Sequence, residues 1–126
     1  MANPVSARDI RRVIANATSL QVSDRANIVM RVLAAMRACG VQRVLMMPEN
    51  GGIRSLLKRG LQREKQLGDN RFPELEMTDT QISGTVDDTF AATQAMVDSG
   101  VKAIVVLGGD GTHRAVAKVC GQVPIA

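Results

Sequence analysis

The sequence predicts an α/β protein with a three-layer α/β/α arrangement around a mostly parallel sheet. Two observations predict this fold class. Short apolar runs of strand length alternate along the chain with longer stretches in which apolar residues recur at helical spacing. A glycine-rich turn, Gly108–Thr112, joins the most strand-like run to a helical stretch. Strands that alternate with helices of this length favour right-handed βαβ units, in which helices cover both faces of a parallel sheet.

The first part of the chain contains two predicted helices and one predicted strand. Residues 6–17 carry apolar side chains at helical spacing. Residues 24–39 form a clearer helix, in which Asp24 is the expected N-cap. The apolar stripe of this helix consists of Ile28, Val29, Val32, Leu33 and Met36. Residues 43–47 form a short continuous apolar run before a proline, as expected of a buried parallel strand.

The middle of the chain continues the alternation. Residues 52–67 predict a helix with an apolar side and a basic side, and we interpret the basic side as a solvated face. Its basic residues are Arg54, Lys58, Arg59, Arg63 and Lys65. Residues 74–79 alternate polar and apolar side chains, which is typical of an exposed or edge strand. Thr85 can cap a helix that extends to Gly100. Its expected inward-facing residues are Phe90, Ala91, Thr93 and Val97.

The last part of the chain contains the strongest strand pattern, over residues 101–107. Residues 113–120 predict the helix that follows it, and residues 122–126 resemble the start of a further strand. Ligands of open α/β sheets bind beyond the carboxyl ends of the strands. Because the turn Gly108–Thr112 lies at that end of its strand, it is the candidate ligand site.

The composition indicates one globular domain and a small anionic ligand. The chain has 126 residues, 45% hydrophobic and 22% charged, which is typical of a single domain. It contains neither an apolar run long enough to span a bilayer nor a recognisable signal segment, so we expect a cytoplasmic protein with no membrane partner. The net charge of +4 suits a nucleotide, whereas the lack of Trp and Tyr argues against a nucleic-acid partner bound by base stacking.

The two cysteines, Cys39 and Cys120, are far apart in the sequence and show no metal-ligand or redox spacing. We expect both to be buried free thiols. Because the chain has one histidine and no cysteine pair, we expect no zinc site and assign no residue as a metal ligand.

Each residue type in the turn Gly-Gly-Asp-Gly-Thr has a chemical reason to be there. The glycines, Gly108, Gly109 and Gly111, can adopt positive φ angles and leave no Cβ between a ligand and the backbone N–H groups. The helix that follows adds its positive end, which favours phosphate. Thr112 can cap this helix or offer its hydroxyl to a phosphate oxygen. Asp110 can accept a proton from a hydroxyl nucleophile, or reach a metal ion that arrives with the nucleotide.

Other glycine-rich motifs do not fit this turn. A Walker loop ends in Gly-Lys-Ser/Thr, which the chain lacks. The dinucleotide fingerprint requires a third glycine where this chain has Arg114. An alternative remains in which the turn only connects a strand to a helix. Three glycines, an aspartate and a threonine together exceed what helix capping requires, so we favour the ligand-binding interpretation.

The turn resembles the Gly-Gly-Asp-Gly-Thr signature shared by NAD kinases, diacylglycerol and sphingosine kinases, and phosphofructokinase-like proteins. Near the start of the chain, Asn3-Pro-Val-Ser6 is similar to the Asn-Pro-x-Ser-Gly segment of this superfamily. Three further stretches most resemble the ATP-NAD/AcoX kinase branch, some of whose members are named for acetoin-catabolism gene clusters. These stretches are Asp9–Arg12, Val44–Pro48 and the extension Gly-Thr-His-Arg that ends at Arg114.

The resemblance implies roles for the residues of the turn. Gly108, Gly109, Gly111 and Thr112 correspond to the loop that holds the nucleotide phosphates. Asp110 corresponds to the acid proposed to activate the hydroxyl that attacks the γ-phosphate of ATP.

Four further residues are implied to lie at the nucleotide. His113 and Arg114 could contact phosphate. For His113 we give equal weight to a second interpretation, in which it is a partly solvated residue of the first helical turn with no contact to the ligand. Asn3 and Ser6 correspond to a loop near the nucleotide. Ala7 stands where the family usually has the glycine after that serine, which weakens the correspondence for this loop.

The resemblance implies phosphoryl transfer from ATP to the 2′-hydroxyl of NAD, with Mg²⁺ bound to the nucleotide. The family has an N-terminal α/β domain with this signature and a β-rich C-terminal domain that helps to bind the substrate. We therefore expect residues 1–126 to form a single nucleotide-binding domain, a fragment without the β-rich domain and with negligible kinase activity alone. An unpaired strand edge in such a fragment would favour a homo-oligomer.

Three alternatives to an NAD kinase stay open. A lipid kinase of the diacylglycerol or sphingosine type usually has a hydrophobic residue and then Asn-Glu after the signature, where this chain has His113-Arg-Ala115. A nucleotide sensor linked to acetoin catabolism would bind the same ligand without catalysis. A structural or interaction domain would not respond to nucleotide at all.

Overall fold

The computed structural model describes residues 21–49, 51–68 and 70–126. Within these residues, helices and strands follow the predicted order, except that the strands predicted over residues 101–107 and 122–126 are not formed as regular strands. The elements are α1 (Val22–Ala38), β1 (Arg43–Met46), α2 (Ile53–Gln66), β2 (Glu74–Met77), α3 (Val86–Asp98) and α4 (Asp110–Val119). The predicted helix over residues 6–17 lies outside the described residues, as do Asn3 and Ser6.

β1 and β2 form a two-stranded parallel sheet, whose register begins with Arg43 opposite Glu74. An ion pair joins the strands where the Arg43 Nη2 lies 2.7 Å from the Glu76 Oε1. Because both side chains are substantially exposed, this pair contributes at most about 1 kcal/mol to stability. Exposure alternates along β2, as predicted for an exposed or edge strand, and the strand spans Glu74–Met77 of the predicted residues 74–79.

The predicted strand over residues 101–107 is not formed as a regular strand, and this segment instead pairs with the last residues of the chain through a bridge. Ile104 and Ile125 form an isolated parallel bridge. The Ile104 N–H donates to the Pro124 carbonyl at 2.8 Å, and the Ala126 N–H donates to the Ile104 carbonyl at 3.0 Å. Parallel α/β pairing is therefore observed. Within the described ranges the two paired regions do not join into one continuous sheet, so the three-layer arrangement stays a prediction.

The first described helix begins two residues earlier than predicted, and Asp24 is not its N-cap. Gln21 is the N-cap, and Asp24 occupies the third helical position. From there the Asp24 Oδ2 accepts the Gln21 N–H at 3.1 Å, as in a capping box. An acidic residue can accept unpaired backbone N–H groups either from the N-cap or from the third helical position. The sequence alone therefore does not show which of these two positions Asp24 occupies.

The N-terminus of α3 is capped as predicted, because the Thr85 Oγ1 accepts the Asp87 N–H at 3.2 Å. Asp88 reinforces the turn before the helix. Its carboxylate accepts the Ser83 hydroxyl at 2.6 Å and the backbone N–H groups of Ser83 and Gly84, each at 2.8 Å. These hydrogen bonds, first of all that of the Ser83 hydroxyl, hold the pKa of Asp88 below its ordinary value.

Buried side chains of the described chain form three clusters. The first joins α1 to α2 and contains Ala26, Val29, Leu33, Ile53 and Leu57. The second joins residues 101–107 to α4 and contains Ile104, Val106, Val116 and Cys120. The third joins β1 to α3 and contains Met47, Ala92 and Met96. Burial of these apolar side chains is the main stabilising term of the fold.

Three residues that the pattern placed inside are exposed. Ile28 lies at the edge of the α1 stripe and Ala91 lies outside the buried face of α3. The buried face of α3 consists of Thr89, Ala92, Thr93 and Met96. Of the two free thiols, Cys120 is buried as predicted, whereas Cys39 follows the last turn of α1 and is exposed. Helical spacing identifies the apolar side of a helix. Which residues on that side are buried depends on the neighbouring element that packs against it.

An apolar cavity of about 420 Å³ lies between α1, β1 and residues 101–107. Four methionines contribute to its lining, namely Met36, Met46, Met47 and Met96. The charged residues on its lining are Arg43 and Lys102, each at the amino end of its strand segment. None of the helices in the described part of the chain combines the length and the apolarity needed to cross a membrane.

We expect Leu57→Ala to lower the free energy of unfolding by about 2–5 kcal/mol, because this leucine is buried and its loss leaves a cavity. Leu67→Ala is the matched control, since Leu67 is 72% exposed and should change stability by less than about 0.5 kcal/mol. Urea unfolding followed by circular dichroism measures both. Equal losses for the two variants would contradict the placement of the first cluster.

We expect Asp88 to stabilise the fold above about pH 4–5 and to lose this effect as the pH falls further. The pKa of its carboxyl group is lower in the folded than in the unfolded chain, so protonation favours unfolding. Unfolding free energies of the unaltered chain and Asp88→Asn should therefore differ at pH 7 and converge towards pH 2. A difference that stays constant across this range would show that the charge of Asp88 has no role.

Candidate functional site

The glycine-rich turn is a two-residue connection between residues 101–107 and α4. Gly109 is the N-cap of α4, with φ −83° and ψ 179°, and the helix begins at Asp110. None of the glycines at 108, 109 and 111 adopts a positive φ angle, so that part of the sequence interpretation is wrong. The requirement at Gly108 is steric, because a Cβ there would lie 2.7 Å from the Cβ of Thr112.

Gly111 has no such requirement within the fold. It lies in the first turn of α4, and a Cβ added there would have no neighbour within 4 Å among the described residues. A glycine in a helix costs about 0.5–1 kcal/mol relative to alanine. The fold accepts this cost without a packing reason, which leaves the backbone beside Gly111 open to an external group.

Thr112 is part of the buried face of α4, not its N-cap. The side chain is 6% exposed and lies on the same face as Ala115 and Val116. The cap residue is Gly109, whose carbonyl accepts the Thr112 N–H at 2.9 Å. The predicted capping role of Thr112 is therefore wrong, and the side chain instead packs beside Gly108. A contact of its hydroxyl with phosphate stays a prediction.

Asp110, His113 and Arg114 form the exposed charged face of the first turn of α4, which we call the α4 entry face. Residues three and four positions apart are neighbours on a helix surface, so these side chains are adjacent. Within the described part of the chain, the Asp110 carboxylate takes part in no ion pair. The structure thus places three of the predicted site residues together, at the positive end of a helix.

The His113 side chain makes a hydrogen bond to the residue that caps α4. Its Nδ1 lies 3.2 Å from the Gly109 carbonyl oxygen, which also accepts the His113 backbone N–H at 3.1 Å. The imidazole ring is therefore tied to the turn that precedes it. The first backbone N–H groups of a helix have no intrahelical acceptor, so those of Asp110 and Gly111 are the donors that the turn can offer to an anion.

The sequence interpretation missed Glu49, which follows β1 at the carboxyl edge of the sheet. Its Oε1 accepts the Arg54 N–H at 2.6 Å near the start of α2, while its Oε2 is buried without a hydrogen-bond partner. An available signal was an acidic residue just after the proline that ends the predicted strand, and shortly before Gly51-Gly52. No group of three His, Cys, Asp or Glu side chains that could hold a metal ion occurs in the described ranges.

We expect Gly108→Ala and Gly111→Ala to have opposite effects on stability. The Cβ at 108 would overlap with Thr112 and force a shift of the helix start, at a cost of about 1–3 kcal/mol. The Cβ at 111 enters open space and should raise stability by about 0.4–1 kcal/mol. Thermal unfolding of the two variants checks this pair. A stabilised Gly108→Ala would contradict the packing described for the turn.

Comparison with known proteins confirms the resemblance. The family model for the ATP-NAD kinase N-terminal domain matches residues 12–126. The chain is 59% identical over 126 residues to acetoin catabolism protein X of Cupriavidus necator, and the match covers 100% of this chain and 35% of that protein. The chain thus spans about a third of the length of this curated relative. No solved structure shows a significant match. Because the family model extends over every described element and the glycine-rich turn, the chain belongs to the ATP-NAD kinase N-terminal domain family.

Proposed function

We propose that this chain is the nucleotide-binding domain of a kinase that transfers the γ-phosphoryl group of ATP to the 2′-hydroxyl of NAD. The observation that carries the proposal is the open backbone at Gly111, beside the exposed carboxylate of Asp110, in a member of this family. A packing role explains Gly108 but leaves Gly111 and Asp110 unexplained. A phosphate group against the start of α4 accounts for Gly111, and the need for a proton acceptor beside that phosphate accounts for Asp110.

The phosphates of ATP would lie against the N-terminus of α4. The backbone N–H groups of the first turn can donate to phosphate oxygens, and the helix end favours their negative charge. Arg114 on the α4 entry face adds a cation with several donors. Mg²⁺ arrives with the nucleotide and is held chiefly by its phosphates, with Asp110 as at most one protein ligand. Asn3 and Ser6, near the start of the chain, would contribute further contacts to the nucleotide.

Asp110 has the chemistry needed for the proton of the reaction. The acceptor hydroxyl oxygen attacks the γ-phosphorus, and the bond to the bridging oxygen breaks with its electron pair leaving on ADP. The carboxylate of Asp110 takes the hydroxyl proton. Most of the catalytic effect in phosphoryl transfer comes from positioning and charge stabilisation, which an exposed helix start provides without covalent chemistry.

We propose that further parts of a longer protein complete the site. The curated relative is nearly three times as long as this chain, which leaves room for a β-rich domain that binds NAD. We accordingly propose that residues 1–126 alone have negligible kinase activity. The parallel pairing of β1 with β2 and of Ile104 with Ile125 supports a three-layer arrangement in the complete domain.

The experiment uses the full-length protein that contains this chain, incubated with Mg·ATP and NAD and followed by analysis of the products. Asp110→Asn should lower turnover by about 10²–10⁴-fold, the range for a positioned proton-transfer group. The melting temperature should not change, because Asp110 is exposed.

The matched control is Asp98→Asn, at the far end of α3, which should leave turnover unchanged. Near-normal turnover of Asp110→Asn would remove its proposed role. Phosphorylation of a lipid instead of NAD would point to the lipid-kinase alternative. Nucleotide binding without any product would indicate a sensor, and no nucleotide-dependent rise in melting temperature would indicate a structural domain.

A further inference from the structure

The apolar cavity separates the two paired regions of the described chain. All of β1 lines it on one side, and residues 100–105 and Leu107 line it on the other. Its charged lining residues, Arg43 and Lys102, lie at the amino ends of the two segments. A group that fills the cavity must therefore be apolar along most of its length.

The helices that pack against the two regions are the same. Leu107 packs against the cluster that joins α1 to α2, as do Val44 and Met46 of β1. Val101 and the β1 residue Leu45 both pack against the cluster on α3. Each region thus has α1 and α2 against one face and α3 against the other, as parts of one sheet would.

The edge of β1 that faces the cavity has no neighbouring strand among the described residues. On the opposite edge, the Gln42 and Met46 carbonyls accept the Glu74 and Thr78 N–H groups at 2.9 and 2.8 Å. Successive residues of a strand direct their backbone groups to opposite edges, so those of Leu45 point away from β2. In the described part of the chain these groups have no hydrogen-bond partner. Buried backbone groups of this kind require one.

Residues 101–107 present an edge to the same cavity. The Ile104 and Val106 N–H groups donate to the carbonyls of Pro124 and Ala126, each at 2.8 Å. By the same alternation, the backbone groups of Ala103 point to the opposite edge, on the cavity side. The cavity therefore lies between the inner edges of two parallel pairs. A small apolar ligand would fill the space but would leave the backbone groups at these edges without partners.

We propose that a parallel β-strand occupies this cavity and joins the two regions into one continuous sheet. The strand is supplied by the chain that precedes α1 in the full-length protein. The resulting order is β2, β1, the inserted strand, residues 101–107 and residues 122–126. With the inserted strand counted first along the chain, this is the order 3-2-1-4-5 of the doubly wound α/β fold.

The position of α1 supports this origin of the strand. A helix that follows a strand and leads to its parallel neighbour packs over both of them. α1 precedes β1 in the chain and lines the cavity with Val29, Val32, Leu33 and Met36. It therefore lies where the crossover helix between the inserted strand and β1 is expected. A strand on which neighbours pair at both edges, with helices on both faces, is apolar on both faces, which matches the lining.

The inserted strand also forms one wall of the candidate site. In a doubly wound sheet, ligands bind beyond the carboxyl ends of the strands, at the point where the strand order reverses. In the proposed order this point lies between the inserted strand and residues 101–107. The turn at Gly108 and the N-terminus of α4 follow residues 101–107 at that end. The carboxyl end of the inserted strand would therefore lie beside them.

Amide hydrogen exchange of the full-length protein, resolved to single residues, tests the proposal. We expect the Leu45 and Met47 amides to exchange within about 10-fold of the rates at Thr78 and Ile104. The last two are internal controls, because their N–H groups already donate to carbonyls of a paired segment. Exchange at Leu45 and Met47 that is faster than this, as at an open sheet edge, would overturn the proposal.

Photochemical cross-linking identifies the segment that fills the cavity. A benzophenone side chain introduced at Ala103, a lining residue with an exposed side chain, should cross-link to a peptide from the chain that precedes α1. Mass spectrometry of the digested product reads this out. Cross-links to α1 alone, to the chain after Ala126 or to a second copy of the protein would each overturn the proposal.

Val32→Phe in the full-length protein gives an independent measure. With a strand in place the larger side chain overpacks the core, and the melting temperature should fall by about 2–10 °C. Ile28→Phe is the matched control at an exposed position of the same helix and should leave it unchanged. A melting temperature of Val32→Phe at or above that of the unaltered protein would indicate an open cavity and overturn the proposal. These measurements do not depend on the reaction, so a failure of the proposed function would leave them unchanged.

Discussion

The close contact between Gly108 and Thr112 is the constraint on which the site depends. A side chain at position 108 would occupy the space taken by Thr112, so α4 can begin directly after residues 101–107 only if this position is glycine. The contact also orients the helix, because Thr112 lies on the same face as Ala115 and Val116. Burial of that face turns the Asp110 side of the first turn towards solvent. The chemistry at the turn is thus a consequence of packing on the opposite side of the helix.

The glycines of the turn have different reasons to be glycine. Gly108 has a packing reason inside the fold, and Gly109 is an extended N-cap, a position where glycine is common. Gly111 has neither reason and lowers helix stability by about 0.5–1 kcal/mol relative to alanine. A motif that looks uniform in the sequence therefore combines one residue that the fold needs with another that it does not. Because the fold does not need a glycine at position 111, Gly111 is the residue that points to a ligand.

Much of the fold could be predicted from the sequence. The order of the elements from α1 to α3, the Thr85 cap and the alternating exposure of β2 depend on local spacing and on short-range hydrogen bonds. The strand predicted over residues 101–107 depends on long-range pairing, and it is not formed as a regular strand. The position of Asp24 could not be fixed, since an acidic residue satisfies the same helix terminus from two places. Exposure of Ile28 and Cys39 depends on which neighbouring element covers each helix, and this information is not local.

Some features of the candidate site could also be predicted from the sequence, and others could not. The helix after the turn followed from the apolar pattern, and the structure confirms it. The strand predicted before the turn is wrong as a regular element, because residues 101–107 contain only bridge pairing. The reasons for the glycines of the turn did not follow, because close packing between Gly108 and Thr112 has no signature in spacing. The tie between His113 and Gly109 was also invisible, since it depends on the side-chain conformation. Glu49 belongs to a different loop, at the carboxyl end of β1, and its hydrogen bond to the start of α2 depends on how the chain turns after the strand.

The cavity between α1, β1 and residues 101–107 has a consequence for the response of the molecule to hydrostatic pressure. Any part of this apolar cavity that packing leaves unfilled is eliminated on unfolding, and it therefore disfavours the folded chain as pressure rises. The four methionines around the void have flexible, polarisable side chains that can move into it at little cost. Compression would therefore act first on the packing around this cavity, which lies between α1, β1 and residues 101–107.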